Sequence, residues 1–434
     1  MGRFAAPGER GGVVSHRDRY DHFIGGEHVP PAEGGYTAHA TPVTGAVFTE
    51  VARGTAGDVD RALDAAHGAA DRWGGTSAAE RATVLAEIAD RLEDHVEALA
   101  VAETWDTGRP VREALADLPR AVGCFRHFGA LIRAQRGGVS RLDDDLVAFH
   151  LREPIGVVDR FVPSHAPLLT AAVNLAPALA AGNTAVLRPD DHAPAALHVL
   201  VGLVADLLPP GVVNVVTGVG ADEAPAGKGA DVFFADVAAS RDAFYDRAMA
   251  GFTTFSLDRA LVQTPIHDRF LADATERARA AGPGHPLDTD TAVGAIAGRD
   301  RLDRTLSLIA IAERDGARVL CGGQPADLGG ELSGGCYLEP TVIAGETRVS
   351  RFDLAGPVVR VTSFDHFDDA VKQLCGLNGV GLWSREAGVG FRTGRRVPAR
   401  RVRVNTFHSG DGDRDALLDR YQRTKTVLVE QGCC

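Results

Sequence analysis

Thiols occur at six positions of this chain, and their spacing limits the cysteine chemistry that the chain can support. Cys124, Cys321, Cys336 and Cys375 are scattered, whereas Cys433-Cys434 ends the chain. Scattered cysteines do not make a disulfide framework, so we expect a reducing compartment and a cytoplasmic location. The terminal pair supports one hypothesis of function, a carrier protein that uses these two residues as a thiol, soft-metal or modification site. The alternative is an incidental terminus, and no other metal site is predicted.

A glycine-bearing turn, Thr217-Gly218-Val219-Gly220, is a second chemical feature of the sequence. It follows the valine-rich run Val212–Val216, which is predicted to be a strand. Open α/β sheets bind ligands beyond the carboxyl ends of their strands, so the turn could contact a ligand. The alternative is a turn that only lets the chain leave the sheet.

The elements that must position these residues follow from hydrophobic periodicity. Residues 20–51 are predicted to form short strands and turns, and residues 55–135 form helices, the first of them capped by Thr55 and Asp58. From residue 139 onward, strands and helices alternate. This pattern predicts an α/β protein with a parallel sheet and right-handed crossovers.

Charge and composition exclude several classes of partner. The chain has 434 residues and a net charge of −12, with no basic patch typical of nucleic-acid binding. The first 21 residues contain no apolar h-region, so we expect no signal peptide. No apolar run reaches the ~18 residues of a membrane span. We therefore expect neither nucleic acid nor membrane as a partner.

A colinear series of motifs runs along nearly the whole chain. It includes YDHFIGGEHVPPAEGGY, AETWDTGRPVRE, EPIGVV, LAPALAAGNTAVLRP, LLPPGVVNVVTG, GGCYLEPTV, AGPVV, RVRVN and YQRTKTVLV. In these motifs and their order the chain resembles the aldehyde dehydrogenase superfamily. The resemblance implies a Rossmann-type nucleotide-binding domain, an α/β catalytic-type domain and a β-strand oligomerisation arm.

The resemblance also divides the chain. The expected parts are a flexible N-terminal arm (1–18), a nucleotide-binding domain (19–137 and 157–235), a catalytic-type α/β domain (236–408), and an oligomerisation arm with the C-terminal tail (138–156 and 413–434). The arm implies a homo-oligomer, either a dimer or a tetramer, or a hetero-oligomer with an active paralogue or a pathway protein.

In this family a cysteine thiolate attacks an aldehyde, an amide hole holds the oxyanion, hydride passes to NAD or NADP, and a glutamate activates water. His165 stands at the family's oxyanion-asparagine position, within Pro163-Ser164-His165-Ala166-Pro167. A histidine can donate one N–H there, and the alternative is a surface-loop histidine without a role. The positions that match the family's cofactor contacts are Pro163, Arg188, Pro189, Asp191, Gly218, Gly220 and Asp353.

The nucleophile and general-base segments do not match the family pattern. Only Ala221–Asp231 separates the glycine turn from the next strand, and its Asp222 and Glu223 are expected to be solvated. Phe255-Ser256 runs almost directly into the following strand, with no cysteine between Cys124 and Cys321. These departures predict a catalytically inactive homologue that acts as a scaffold or regulatory subunit, with no catalytic residue and with cofactor binding weakened or lost. The alternative is an NAD(P)-dependent aldehyde dehydrogenase with altered or residual activity.

Overall fold

Two β-sheets form the centres of two α/β domains in the computed structural model, and a third sheet projects as an arm. The structure describes residues 2–220, 230–254, 257–347, 354–406 and 414–430. The strands are β1 (Arg19–Tyr20), β2 (His22–Ile24), β3 (Glu27–Val29), β4 (Tyr36–Ala40), β5 (Val47–Ala52), β6 (Gly138–Arg141), β7 (Leu146–Pro154), β8 (Val157–Val162), β9 (Thr184–Pro189), β10 (Val213–Val215), β11 (Ala230–Phe233), β12 (Arg259–Gln263), β13 (Arg318–Cys321), β14 (Thr341–Ala344), β15 (Val358–Phe364), β16 (Gly379–Trp383), β17 (Arg401–Val404) and β18 (Gln422–Glu430).

Most of the longer helices are amphipathic and cover the sheets. They are α1 (Ala56–Gly74), α2 (Ala78–Asp94), α3 (Val96–Thr107), α4 (Val111–Ala134), α5 (Pro167–Ala181), α6 (Ala195–Val204), α7 (Ala243–Met249), α8 (Gly251–Thr254), α9 (His267–Ala280), α10 (Arg299–Arg314), α11 (Phe367–Gln373), α12 (Ala387–Gly394) and α13 (Arg414–Asp419). The predicted cap of α1 is present, because the Thr55 N–H donates to Asp58 at 3.0 Å. Among the described residues, no helix is long and apolar enough to cross a membrane.

The first domain contains a five-stranded sheet in the order β3-β2-β10-β9-β8. Strands β8, β9 and β10 are parallel, as the alternation of strands and helices predicted, whereas the hairpin β2–β3 joins β10 in the antiparallel sense. The core of this domain is formed by α2, α4 and α5 packed on the sheet. The carboxyl ends of β8, β9 and β10 therefore meet at one edge, where the loops that follow them come together.

The second domain contains a seven-stranded sheet in the order β13-β14-β15-β12-β11-β16-β17. All its pairings are parallel except that of the edge strand β13. Strand β11 lies in the interior of this sheet, between β12 and β16. The predicted boundary after residue 235 is therefore wrong, since Ala230–Phe233 completes the second sheet rather than the first. Sequence spacing could not show which of two sheets the strand would join.

The arm is a three-stranded sheet in the order β18-β7-β6. Strand β18 pairs with β7 along nine residues, from Gln422↔Pro154 to Glu430↔Leu146. Two segments that are far apart in sequence thus form one ribbon. A second small sheet, β1-β5-β4, is formed near the N-terminus.

The segment predicted to be a flexible N-terminal arm makes specific contacts in the structure. The Phe4 N–H donates to the Leu287 carbonyl at 3.1 Å, and Arg3 forms an ion pair with Glu331 at 2.5 Å. The Phe4 side chain also packs against the core of the first domain. These bonds tie the start of the chain to residues of the second domain, so the segment is not a free arm.

Candidate functional site

A short loop between β8 and α5 carries the predicted oxyanion position. Strand β8 ends at Val162, and Pro167 begins α5, because proline favours the first turn of a helix. Ala166 between them has a φ of 48°, a left-handed conformation that costs a non-glycine residue about 1–3 kcal/mol. Ser164 is buried, whereas His165 is exposed. The loop is thus held in a strained form that presents His165 on the surface.

Asp190, directly after β9, is the centre of a charged cluster beside this loop. Its carboxylate accepts from Arg301 at 2.6 Å, from the His192 ring at 2.9 Å and from the Ser164 N–H at 3.3 Å. Burial of Asp190 is outweighed by the bonds from His192 and Arg301, which hold the pKa of its carboxyl well below the usual range. His192 is also bonded to Asp300 at 2.9 Å. Because Asp300 and Arg301 belong to α10, this cluster joins the two domains.

Arg188 and Asp191, two predicted cofactor contacts, lie at the same end of β9. Arg188 forms an ion pair with Asp159 at 2.9 Å. Burial and repulsion from Asp190 raise the pKa of Asp191, and the backbone of Gly218 opposes this rise. A carboxylate at this edge fits the hydroxyl groups of a ribose, since acidic residues bind the 2′-hydroxyl of NAD in parallel α/β folds. The residues present therefore fit the ribose end of the cofactor.

The glycine turn after β10 is only half open. A Cβ on Gly218 would lie 2.7 Å from the Arg53 Cα, and the Gly54 N–H donates to the Thr217 carbonyl at 2.9 Å. The backbone that precedes α1 therefore covers Gly218. Gly220 has a φ of 59°, and no atom of the described residues lies within 4 Å of its Cβ position. Gly218 therefore serves mainly in backbone packing.

Several predicted positions lie outside the described residues. They are Asp222 and Glu223, Ser256, the cofactor contact Asp353, and the terminal pair Cys433-Cys434. The two segments in which the resemblance places the general base and the nucleophile, 221–229 and 255–256, lie there too. In the described part of the chain, no group of histidine, cysteine and carboxylate side chains could hold a metal ion.

The four described cysteines are all free thiols. Cys124 is 2% exposed in the core of the first domain, and Cys336 is 4% exposed beside α10. Burial raises the pKa of Cys336 and of Cys321, which disfavours the reactive thiolate. Cys375 is exposed, and its Sγ lies 3.6 Å from the Val371 carbonyl. Cys375 is therefore the accessible thiol in the described part of the chain.

Sequence reasoning missed the residues that connect these loops. Pro163, Asp191 and Gly218 were predicted separately, and the structure gathers them at the carboxyl end of the first sheet. Asp190 could have been noticed, since it directly follows the Arg188-Pro189 pair. Arg301 carried no signal, because it is one arginine of an ordinary amphipathic helix more than 100 residues away.

Comparison with known proteins matches this chain to the aldehyde dehydrogenase family over residues 29–226 and 229–415. A fluoroacetaldehyde dehydrogenase of Streptantibioticus cattleyicolor is 46% identical over 493 aligned positions, which cover 98% of this chain and 97% of the relative. An EPTC-inducible aldehyde dehydrogenase of Rhodococcus erythropolis is 43% identical over 497 aligned positions, which cover 99% of this chain and 98% of the relative. Both alignments are longer than the 434 residues of this chain, so these relatives contain segments without a counterpart here.

Solved structures agree with this assignment. The crystal structure of PnpE in complex with nicotinamide adenine dinucleotide has a TM-score of 0.86 at 29% identity, covering 96% of this chain and 98% of the other. The crystal structure of HpcC from Thermus thermophilus has a TM-score of 0.86 at 30% identity, covering 96% of this chain and 94% of the other. The α/β fold predicted from the motifs is confirmed. This chain belongs to the aldehyde dehydrogenase family.

The prediction of a catalytically inactive scaffold is contradicted by these relatives. Proteins that match nearly the whole chain at 43–46% identity are named as aldehyde dehydrogenases. The prediction gave most weight to a few short motifs that differ, whereas identity over the whole chain reflects everything that is shared. The enzyme alternative is therefore the better supported of the two hypotheses.

Proposed function

We propose that this protein is an aldehyde dehydrogenase that oxidises a small aldehyde to the carboxylic acid with a nicotinamide coenzyme. The observation that carries the proposal is the 46% identity, over 98% of the chain, to a fluoroacetaldehyde dehydrogenase. The overall reaction consumes the aldehyde, one water and the oxidised coenzyme, and it yields the acid, the reduced coenzyme and one proton. The coenzyme, when bound, supplies the hydride acceptor.

The coenzyme that fits best is NAD rather than NADP. Asp191, which follows the parallel strand β9, would accept from the ribose hydroxyls. A 2′-phosphate would have to approach the Asp191 carboxylate, whereas the carboxylates of Asp159 and Asp190 are paired with arginines. Arg188 would compensate poorly, since its guanidinium is already paired with Asp159. Electrostatic repulsion therefore favours the coenzyme without the extra phosphate.

The aldehyde would be held by His165. Its imidazole stands at the position that holds an amide in the family and can donate an N–H to the carbonyl oxygen as negative charge develops there. The strained backbone at Ala166 fixes this loop at the start of α5. We further propose that the reaction is altered at the nucleophile, because the chain has no cysteine between Cys124 and Cys321.

The test is turnover by the full-length chain. Purified protein is mixed with NAD or NADP and with fluoroacetaldehyde, acetaldehyde or a longer aldehyde, and reduced coenzyme is followed by its absorbance. We expect turnover with NAD, reduced on the order of 10²-fold in His165→Ala, which lacks the donor. Cys375→Ser tests whether the exposed thiol acts as the nucleophile. Loss of activity in this variant would assign the nucleophile to Cys375. Absence of reduced coenzyme with every aldehyde would refute the proposed function.

We also propose a homo-oligomer, built through the arm. Val139, Phe149 and Val427 lie opposite one another on three neighbouring strands and are 67%, 41% and 37% exposed. Such a cross-strand apolar row on a projecting sheet is typical of a surface that a partner covers. Light scattering after gel filtration tests this, and a monomer at micromolar concentration would contradict it.

The four free thiols support the cytoplasm as the location.

A further inference from the structure

Helix α10 contacts two loops, one from each domain. From its first turn, Arg301 donates to the Ser164 hydroxyl and to Asp190, the latter at 2.6 Å. One turn further on, the Thr305 hydroxyl donates to the Ala355 carbonyl at 3.2 Å and accepts from the Ala355 N–H at 3.1 Å. One helix thus bonds the loop after β8 in the first domain and the loop before β15 in the second.

The hydrogen bonds of Arg301 are largely shielded from solvent. The Asp190 side chain is 7% exposed and that of Arg301 is 18% exposed. Charged hydrogen bonds are stronger than neutral ones, and partial burial reduces their screening. Asp190 also accepts the Ser164 N–H, so Ser164 is bonded through both its backbone and its hydroxyl. Ser164 directly precedes His165, so the position of His165 depends on the bonds that Asp190 and Arg301 make to Ser164.

Other bonds beside the loop come from its own domain. The Leu168 N–H, in the first turn of α5, donates to Glu103 at 3.2 Å, and Glu103 is paired with Arg109 at 2.6 Å. These contacts fix the helix that follows the loop. Arg301, by contrast, reaches the loop from the second domain.

We propose that Arg301 is a positioning residue, which holds the Ser164-His165 loop against α10 and so sets the position of His165 relative to the second domain. This inference rests on the proposed function for its consequence, since His165 is there assigned to the aldehyde oxygen. A misplacement of about 1 Å in such a group can cost on the order of 10² in rate. Loss of Arg301 therefore lowers kcat far more than it changes KM for the coenzyme.

The experiment compares Arg301→Gln, Arg301→Lys and the matched control Arg304→Gln, a neighbour on α10 whose side chain is exposed. We expect Arg301→Gln to lower kcat on the order of 10-fold to 10²-fold, Arg301→Lys to restore part of it, and Arg304→Gln to leave it unchanged. Ser164→Ala removes only the hydroxyl and gives a smaller decrease in the same direction. If Arg301→Gln does not fold, Ser164→Ala tests the same contact.

A second readout does not depend on turnover. Hydrogen–deuterium exchange of the peptide that contains residues 163–168 is measured in each variant. We expect faster exchange of this peptide in Arg301→Gln and Ser164→Ala, and an unchanged rate in Arg304→Gln. Unchanged exchange with kcat within twofold of the original overturns the proposal. If the original protein shows no turnover, the proposed function fails, and exchange alone then decides whether Arg301 holds the loop.

Discussion

Replacing Asp190 by asparagine tests the charged cluster that joins the two domains. The substitution keeps the shape of the side chain but removes the charge that accepts from Arg301 at 2.6 Å and from His192 at 2.9 Å. Hydrogen bonds to charged groups contribute about 1.5–3 kcal/mol each. Arg301, only 18% exposed, would also lose its counter-charge. Since breaking a buried ion pair costs about 3–5 kcal/mol, we expect Asp190→Asn to lower the free energy of unfolding by about 3–5 kcal/mol at neutral pH.

This loss should depend on pH in a defined direction. The pKa of Asp190 is lowered in the folded protein, so its contribution is present above the unfolded pKa and is lost as pH falls through the folded value. Burial of the His192 ring is outweighed by its bonds to Asp190 and Asp300, which raise its pKa. The contribution of His192 is therefore complete below the unfolded pKa of about 6.5 and is lost as pH rises through the raised value. Asp190→Asn should thus cost more stability at pH 6 than at pH 9.

Urea unfolding at pH 6, 7 and 9 measures both effects. Asp206→Asn is the control, because Asp206 forms a surface ion pair with Arg91 and is 66% exposed. Exposed pairs contribute about 0–1 kcal/mol. If Asp190→Asn costs no more than this control at pH 7, or costs as much at pH 9 as at pH 6, the account of the cluster is refuted.

Three further predictions follow from single contacts. Asp191→Ala should weaken NAD binding in calorimetry and reduce the preference for NAD over NADP, because it removes both a ribose acceptor and the carboxylate that repels a 2′-phosphate. An unchanged ratio of the two dissociation constants would contradict this. Val427→Asp, on the exposed apolar row of the arm, should shift the protein toward monomer in light scattering. Thr424→Asp, on the opposite face of β18, should not. If both substitutions have the same effect, the interface does not lie on the face that carries Val427. Gly381→Ala should lower thermal stability strongly, because a Cβ there would lie 1.6 Å from the Asp231 carboxylate, and Asp231→Ala should relieve part of that loss in the double variant.

The order of elements could be predicted from the sequence because local periodicity determines it. The parallel strands β8, β9 and β10 and the capped helix α1 lie where the pattern placed them. Of the candidate site, the sequence located the residues that follow strands. A strand end in a parallel sheet is a position that residue types and spacing can reveal.

What the tertiary structure decided depends on contacts between distant segments. Strand β11 joins the second sheet through its pairing with β12 and β16, which no local signal specifies. Gly218 is covered by the backbone at Arg53, and Arg301 reaches Ser164 from another domain. Local patterns determine which elements form, since they act through neighbouring residues. The surroundings of each side chain are set only when those elements pack, and it is these surroundings that make Asp190 and Arg301 part of the site.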